Sequence, residues 1–244
     1  MTADGPPTRR RLPTCFYGSG AQNVCRLARR FLTFALWLLL PRPCLTCSAP
    51  AERELGLCKP CRRLLESPPR GAAREDRLEG SDGFFWLWVY RPPLDQVILG
   101  LKYRRLDYLG RHIADEASTR LGIELRRADV LVPMPMHWRR RLARGHNHAE
   151  SIARPLARRL GRPLSTALRR RTLGRPQVGR GRRQRLVNPG IAFTCGRPAA
   201  IRDRVVLLVD DVVTTGATAG KAAHALKAAG AGKVIVFAAA RTQT

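Results

Sequence analysis

The stretch VVLLVDDVVTTGAT, residues 205–218, decides the fold. Its first five residues are apolar and predict a buried strand over 205–209, and the acids Asp210 and Asp211 follow directly. Because two adjacent acids at a strand end cannot both point into a core, at least one is predicted to face a ligand, either as an acceptor for hydroxyls or in indirect contact with a metal. The turn TTGAT, residues 214–218, then opens a predicted helix, whose first N–H groups favour an anion. Together these features suit a ribose 5-phosphate.

Apolar strands and helical spacings alternate along residues 84–244. Further strands are predicted over 84–90, 129–132 and 234–240, and helices over 94–103, 108–121, 147–160 and 217–229. This alternation predicts an α/β fold with a mainly parallel sheet that is covered by helices on both faces. Ligands of such sheets bind at the carboxyl ends of the strands, where the acid pair is predicted to lie.

Four of the seven cysteines form two hooks, Cys44-x2-Cys47 and Cys58-x2-Cys61, which ten residues join. A C-x2-C hook presents two thiolates to one metal, and zinc prefers four tetrahedral ligands. The pattern predicts one structural zinc ion, since four cysteines close the coordination sphere and leave no open position for catalysis. Zinc is favoured over two disulfides because no convincing export signal precedes the hooks.

Composition divides the chain into four predicted segments: a disordered extension (1–25), an apolar helix with the zinc module (26–65), a polar linker (66–83) and the α/β domain (84–244). The longest apolar run, Phe31 to Leu40, has ten residues. A membrane span needs roughly 18 to 20, so we predict none. A signal peptide over 26–40 is disfavoured, because its cleavage site would fall inside the zinc motif. These observations predict a cytoplasmic protein.

The chain is strongly basic, with 45 Lys and Arg against 18 Asp and Glu and a formal charge of +27. Between Arg139 and Arg185 stand 16 arginines and one acid, Glu150. A basic segment this dense suggests a phosphate or nucleic-acid partner, with a solvated basic face as the alternative. The zinc hooks and the acid pair argue against a histone-like or ribosomal protein.

Residues 206–218 resemble the phosphoribosyl-pyrophosphate signature of type I phosphoribosyltransferases, which is four apolar residues, two acids, two apolar residues and T-T-G-x-T. A cysteine module ahead of such a domain resembles the layout of the ComF family, which is associated with competence and DNA uptake. The segments that resemble this family's motifs are LLLPRPCLTC (38–47), LKY (101–103), VPMPM (132–136), RGHN (144–147) and the pattern Q…R-x-x-N…F over 177–193. Two positions depart from it, since His146 replaces the usual Phe or Tyr and His148 a frequent Gln.

The resemblance implies a type I phosphoribosyltransferase-like fold and a role for each matching residue. Asp210 and Asp211 are the implied catalytic residues, which hold the ribose hydroxyls of phosphoribosyl pyrophosphate. The implied substrate-binding residues are Thr214, Thr215, Gly216, Ala217 and Thr218 at the 5-phosphate, with the loop 133–137, Lys102 and Arg144 at the diphosphate. Mg²⁺ would accompany the substrate, bound mainly through substrate oxygens and water. The implied reaction displaces pyrophosphate at ribose C1 by a nitrogen nucleophile, under a lid formed by 172–190.

The sequence does not identify the acceptor or the oligomeric state, and a second class of function stays open. In that alternative the chain is a non-catalytic competence factor, which holds single-stranded DNA by stacking and charge and works with competence helicase-type proteins. Trp86 and Trp88 could stack on bases, but their unbroken apolar run favours a buried strand. A metal site at 146–148 is disfavoured, because residues two apart diverge on a helix.

Overall fold

A computed structural model describes residues 43–52, 55–65, 67, 78–104, 106–172 and 191–242. The predicted extension, the apolar helix ahead of the hooks and nearly all of the predicted lid lie outside these residues. The elements in chain order are α1 (Lys59–Arg63), β1 (Gly83–Val89), α2 (Leu94–Tyr103), α3 (Asp107–Leu125), β2 (Val130–Pro133), α4 (Trp138–Arg144), α5 (His148–Leu160), β3 (Leu168–Thr172), β4 (Ile191–Cys195), β5 (Val205–Val213), α6 (Ala217–Ala228) and β6 (Lys233–Arg241).

Four parallel strands form the central sheet in the order β1-β6-β5-β2. Each strand is apolar on both faces, and the buried residues divide into two clusters, one on each side of the sheet. Helices α2, α3 and α5 supply one cluster, and α6 supplies the other together with the antiparallel pair β3-β4. The predicted α/β fold with a parallel, doubly covered sheet is therefore confirmed.

Strand β5 lies inside the sheet and carries the acid pair. Its side chains alternate, so that Leu207 and Val209 join one cluster while Val206 and Leu208 join the other. The strand was predicted to end at residue 209, and that boundary is wrong. β5 continues to Val213 because its backbone stays paired with β6 beyond the acids.

Helix α4 and the pair β3-β4 were not predicted. None of the residues of α4 is buried, so its sequence WRRRLAR lacks the apolar periodicity that identifies a helix. Strand β3 reads LRRRT and lacks the apolar alternation of a strand. The helix predicted over 94–103 has the observed bounds, Leu94–Tyr103.

The cysteine hooks belong to the same compact unit as the sheet, which spans Arg42–Thr244. Leu55, Leu57 and Cys58 are buried in the cluster that contains α2 and α3. Ahead of β1, Leu78 is buried in the opposite cluster, and Asp82 accepts a hydrogen bond of 2.7 Å from the N–H of Val234. The predicted segment boundaries at 26–65, 66–83 and 84–244 stay predictions.

Candidate functional site

The candidate site lies at the carboxyl edge of the sheet, where β5 and β2 end side by side. Pro133 pairs with Val209, and the N–H of Met134 donates to the carbonyl of Val209 at 2.8 Å. The loop that follows β2 therefore runs beside the strand that carries Asp210 and Asp211. Carboxyl edges of this kind are the usual ligand sites of parallel α/β sheets.

Asp211 is buried, and two cationic or titratable side chains reach it from different helices. Lys102 Nζ, from α2, lies 2.9 Å from Asp211 Oδ2, and His148 Nε2, from the start of α5, lies 3.5 Å from the same atom. The other carboxylate oxygen accepts the N–H of Val212 at 2.9 Å. Only 4% of Asp211 is exposed, so the ion pair with Lys102 is largely shielded from water. The sequence predicted neither contact.

Asp210 is half-buried. Its Oδ1 accepts the N–H of Asp211 at 2.9 Å. Burial and the charge of Asp211 raise the pKa of the Asp210 carboxyl well above its ordinary value. Burial also lowers the pKa of the Arg170 guanidinium on β3. Repulsion from Arg140 lowers this pKa further, whereas attraction to Asp210 raises it. The unpredicted strand β3 thus brings an arginine next to the acid pair.

The pKa of the His148 imidazole lies below its ordinary value. Burial lowers the pKa of its imidazole, and Lys102 and Arg144 lower it further against the attraction of Asp211. One ligand atom each from His148, Asp210 and Asp211 lie within 4.8 Å of one another, so the three residues could hold a metal ion. A carboxyl pair with a neutral imidazole can accept hydrogen bonds from a diol.

The turn 214–218 connects the acid strand to the first residue of α6. Gly216 has φ of +81°, a conformation that side chains disfavour, and a Cβ at this position would clash with Leu78. Thr214 and Thr215 are exposed, and Thr215 Oγ1 accepts the N–H of Ala217 at 3.5 Å. The turn therefore presents hydroxyls and free helix N–H groups beside the acids, which is the arrangement that an anion favours.

The segment RGHN, residues 144–147, forms hydrogen bonds to three elements around the site. His146 Nε2 lies 2.8 Å from the carbonyl of Leu101, next to Lys102. Asn147 accepts the N–H of Ala149 at 3.2 Å as the cap of α5, and donates to the carbonyl of Met134 at 3.1 Å. One short segment thus fixes the end of α2, the start of α5 and the loop after β2. The two imidazoles contact different groups, since His146 Nε2 lies next to the carbonyl of Leu101 and His148 Nε2 lies next to Asp211, and His146 precedes the helix.

Arg144 contacts an aromatic side chain at the surface. Its Nη2 donates to the hydroxyl of Tyr103 at 2.9 Å, and the guanidinium lies 4.5 Å from the centre of that ring. Tyr103 is 61% exposed, so the pair lies at the surface beside Lys102. Trp138 is equally exposed, with Arg139 at 5.3 Å from its ring centre. Trp86 and Trp88 are buried in β1, as their apolar run predicted, and they cannot stack on bases.

The four cysteines of the two hooks form a second candidate site. Their sulfur atoms lie within 4.8 Å of one another, with Cys47 and Cys58 at 3.5 Å, and together they could hold a metal ion. Burial would raise the pKa of the Cys44 thiol, but N–H groups of the hooks lower it to about 6. The Cys58 thiol and burial raise the pKa of Cys61 to about 12.

None of the described helices is long and apolar enough to cross a membrane.

Several known proteins are similar to this chain. Residues 147–243 match the phosphoribosyl transferase domain family. The chain is 30% identical over 241 residues to DNA utilization protein YhgH of Escherichia coli O6:H1, covering 90% of this chain and 97% of that protein. It is 28% identical over 210 residues to competence protein F of Haemophilus influenzae, covering 76% of this chain and 90% of that protein. A crystal structure of a purine phosphoribosyltransferase from Pyrococcus horikoshii Ot3 covers 53% of this chain and 82% of its own, with 23% identity and a TM-score of 0.35.

Proposed function

Since this chain belongs to the ComF family and carries a phosphoribosyltransferase domain, we propose that it binds phosphoribosyl pyrophosphate with Mg²⁺ and transfers the phosphoribosyl group to a nitrogen acceptor. One observation carries the proposal. An acid pair and an open helix start stand next to each other at the carboxyl edge of a parallel sheet. A sugar phosphate needs both, one for its hydroxyls and one for its phosphate.

Each part of the substrate then has a partner. Asp210 and Asp211 hold the ribose 2- and 3-hydroxyls, and the turn 214–218 binds the 5-phosphate. Lys102 and Arg144 lie on the side of the acid pair that α2 and α5 cover, and they bind the diphosphate. Mg²⁺, when bound through the diphosphate oxygens, would offset their negative charge and improve the leaving group.

The reaction is a displacement at ribose C1. The lone pair of the acceptor nitrogen forms the new N–C1 bond while the C1–O bond breaks, and pyrophosphate leaves with the bonding electrons. The acceptor nitrogen loses a proton to restore its neutral form. Orientation of the two reactants and stabilisation of developing charge supply the rate enhancement, so no nucleophilic side chain takes part.

Calorimetry with phosphoribosyl pyrophosphate and Mg²⁺ tests the binding step. Asp210→Asn should weaken binding about tenfold or more, since a hydrogen bond to a charged group contributes about 1.5–3 kcal/mol. Asp203→Asn is the matched control, because it removes one exposed carboxylate at a surface turn and keeps a residue that tolerates the positive φ there. No heat for the unmodified protein would contradict the proposal. Pyrophosphate release with any member of a panel of bases and amines would identify an enzyme.

We also propose that the four cysteines bind one structural zinc ion in a cytoplasmic protein. Four sulfur atoms within 4.8 Å match a closed tetrahedral site, and sulfur ligands favour zinc over magnesium. Protein purified under reducing conditions should contain one zinc per chain, and Cys44→Ser should lose it. Cys195→Ser should keep it, since Cys195 lies on β4 away from the hooks. A metal-free reduced chain that folds normally would contradict the assignment.

A non-catalytic role in binding single-stranded DNA is the second candidate. The observation that favours it is the pair of exposed aromatic rings, Trp138 and Tyr103, each with an arginine over its face. Aromatic rings and arginines of this kind stack on bases and bind phosphates. The names of the relatives, DNA utilization protein and competence protein F, support a connection with DNA.

Salt and one substitution test this second candidate. Binding of an oligonucleotide should weaken steeply as salt rises, because phosphate contacts release counterions. Trp138→Ala should cost about 1–3 kcal/mol of binding, the range for one stacked base. Ile123→Ala is the control, because Ile123 is 80% exposed and cannot stack. A flat salt response, or equal losses in both variants, would count against DNA binding at this surface.

A further inference from the structure

A cleft of about 400 Å³ lies among α3, α4 and α5, apart from the acid pair. Arginines from all three helices line it, namely Arg111, Arg141, Arg154 and Arg158, and two carboxylates, Asp107 and Glu150, stand at its wall. We propose that this cleft, called the arginine cleft below, binds a small phosphate-rich anion of diphosphate size. The proposal goes beyond the phosphoribosyl site, because Lys102, Asp210 and Asp211 do not line the cleft.

The charges of the arginine cleft are not balanced within the described part of the chain. Glu150 is engaged by Arg154 one helical turn away, and Asp107 accepts a hydrogen bond of 3.3 Å from Ser151. Within the same described ranges, no hydrogen bond or ion pair joins the side chain of Arg111, Arg141 or Arg158 to another residue. Like charges that face one concave space repel each other, and a bound polyanion relieves that repulsion.

The dimensions and chemistry of the cleft fit a small anion. Its volume falls within the range of about 300–1,000 Å³ that is typical of ligand pockets. Guanidinium groups bind phosphate oxygens in pairs, and Arg154 and Arg158 stand one turn apart on α5 and present two such groups together. Residues of three helices line the cleft, and its volume is sufficient for a compact anion such as diphosphate.

The arginine cleft is separate from the acid pair, but residues of the RGHN segment line the cleft and also contact segments next to the acid pair. Gly145, His146 and Asn147 line the cleft. The side chains of His146 and Asn147 also hold the carbonyls of Leu101 and Met134 on the side of the acid pair. The RGHN segment thus lines the arginine cleft and also contacts two segments that adjoin the acid pair.

Calorimetry with inorganic diphosphate at low salt, on the full zinc-containing chain, tests the proposal. Combining Arg141→Gln with Arg158→Gln should weaken diphosphate binding about tenfold or more, because two charge-assisted contacts are lost. The control combines Arg197→Gln with Arg202→Gln, which removes the same charge from exposed positions elsewhere. An equal loss in the control would mean attraction by net charge alone, and would overturn the proposal.

A second set of variants separates the cleft from the phosphoribosyl site. Diphosphate binding that is lost in Lys102→Met but kept in the double arginine variant would place the anion at the acid pair, and would overturn the cleft. Diphosphate binding that persists in Lys102→Met, while the unmodified chain binds no phosphoribosyl pyrophosphate, would support the cleft and contradict only the proposed function. The cleft variants should keep the unmodified melting temperature, because the replaced side chains are exposed.

A sign test and a source test complete the experiment. Glu150→Gln should strengthen diphosphate binding about fivefold, since it removes a negative charge from the cleft and frees Arg154. Weaker binding in this variant would contradict the electrostatic basis of the proposal. A short oligonucleotide that binds through Arg141 and Arg158, while free diphosphate does not bind at all, would overturn the small-anion ligand.

Discussion

Replacing Lys102 by methionine removes the cation that lies 2.9 Å from Asp211 and keeps the length of the apolar stem. Both partners are shielded, with 23% of the Lys102 side chain and 5% of the Asp211 side chain exposed. Removing one partner of a buried ion pair costs about 3–5 kcal/mol, because the other charge stays buried. We expect a loss of about 3 kcal/mol in the free energy of unfolding at about pH 8, the lower end of that range, since Lys102 is partly exposed.

The size of this loss should depend on pH, through His148. In the unmodified protein, burial and the Lys102 charge keep the pKa of His148 below its ordinary value. Without Lys102 that pKa rises, because Asp211 still attracts the imidazolium and one repelling charge is gone. A raised pKa in the folded state contributes stability at low pH that is lost as pH rises through it. The variant should therefore lose less stability at about pH 5.5 than at about pH 8.

Urea unfolding at the two pH values measures both effects, and an NMR titration of His148 measures the pKa. Lys227→Met is the matched control, because Lys227 Nζ lies at the same 2.9 Å from Asp82 Oδ1 while both side chains are about one third exposed. An exposed pair contributes about 0–1 kcal/mol, so this control should lose little. Equal losses in the two variants, or a His148 pKa that does not rise in Lys102→Met, would refute the role of burial at Asp211.

Three further perturbations follow from the site and its support. Gly216→Ala should lower the free energy of unfolding by about 1–3 kcal/mol and weaken phosphoribosyl pyrophosphate binding, because Gly216 has a positive φ and an added Cβ would contact Leu78. Gly122→Ala is the control, since an added Cβ there meets nothing, and it should be neutral or stabilising in the same thermal melts. Asn147→Ala should cost about 1–2 kcal/mol through the lost helix cap, and a denaturation midpoint equal to that of the unmodified chain would contradict the capping role. Removing metal with a chelator should lower the melting temperature and expose the thiols of the hooks to a thiol reagent, whereas a melt that does not change would argue against a structural metal.

The parts of the fold that could be predicted are those in which local sequence carries the pattern. The strand before the acid pair is continuous in apolar residues, and the helix over 94–103 repeats its apolar positions every three or four residues. The hooks are equally local, since Cys44, Cys47, Cys58 and Cys61 lie within 18 residues of chain and their sulfur atoms meet as their spacing predicted. These features could be predicted because the residues that form them are close together in the sequence.

The contacts inside the candidate site could not be predicted, because they join distant parts of the chain. Lys102, His148 and Asp211 come from two helices and a strand, and their meeting depends on how α2 and α5 pack on one face of the sheet. The resemblance placed Lys102 at the diphosphate, but no pattern along the chain indicated that its amine also contacts Asp211. Strand β3 was missed for a related reason, since three successive arginines give no alternation and only pairing with β4 makes them a strand.

The short stretch from Leu78 to Asp82 has a practical consequence for defining the smallest unit that folds. A Cβ on Gly216 would clash with Leu78, one on Gly220 would lie 2.6 Å from the carbonyl of Glu79, and one on Gly80 would lie 2.6 Å from the ring of His224. The chain that precedes the first strand is therefore packed against the turn 214–218 and the first turns of α6. A truncated protein that begins at residue 84, the boundary suggested by composition, would lack Leu78, which packs against the TTGAT turn. A gene fragment meant to express the phosphoribosyltransferase-like domain alone should begin ahead of Leu78.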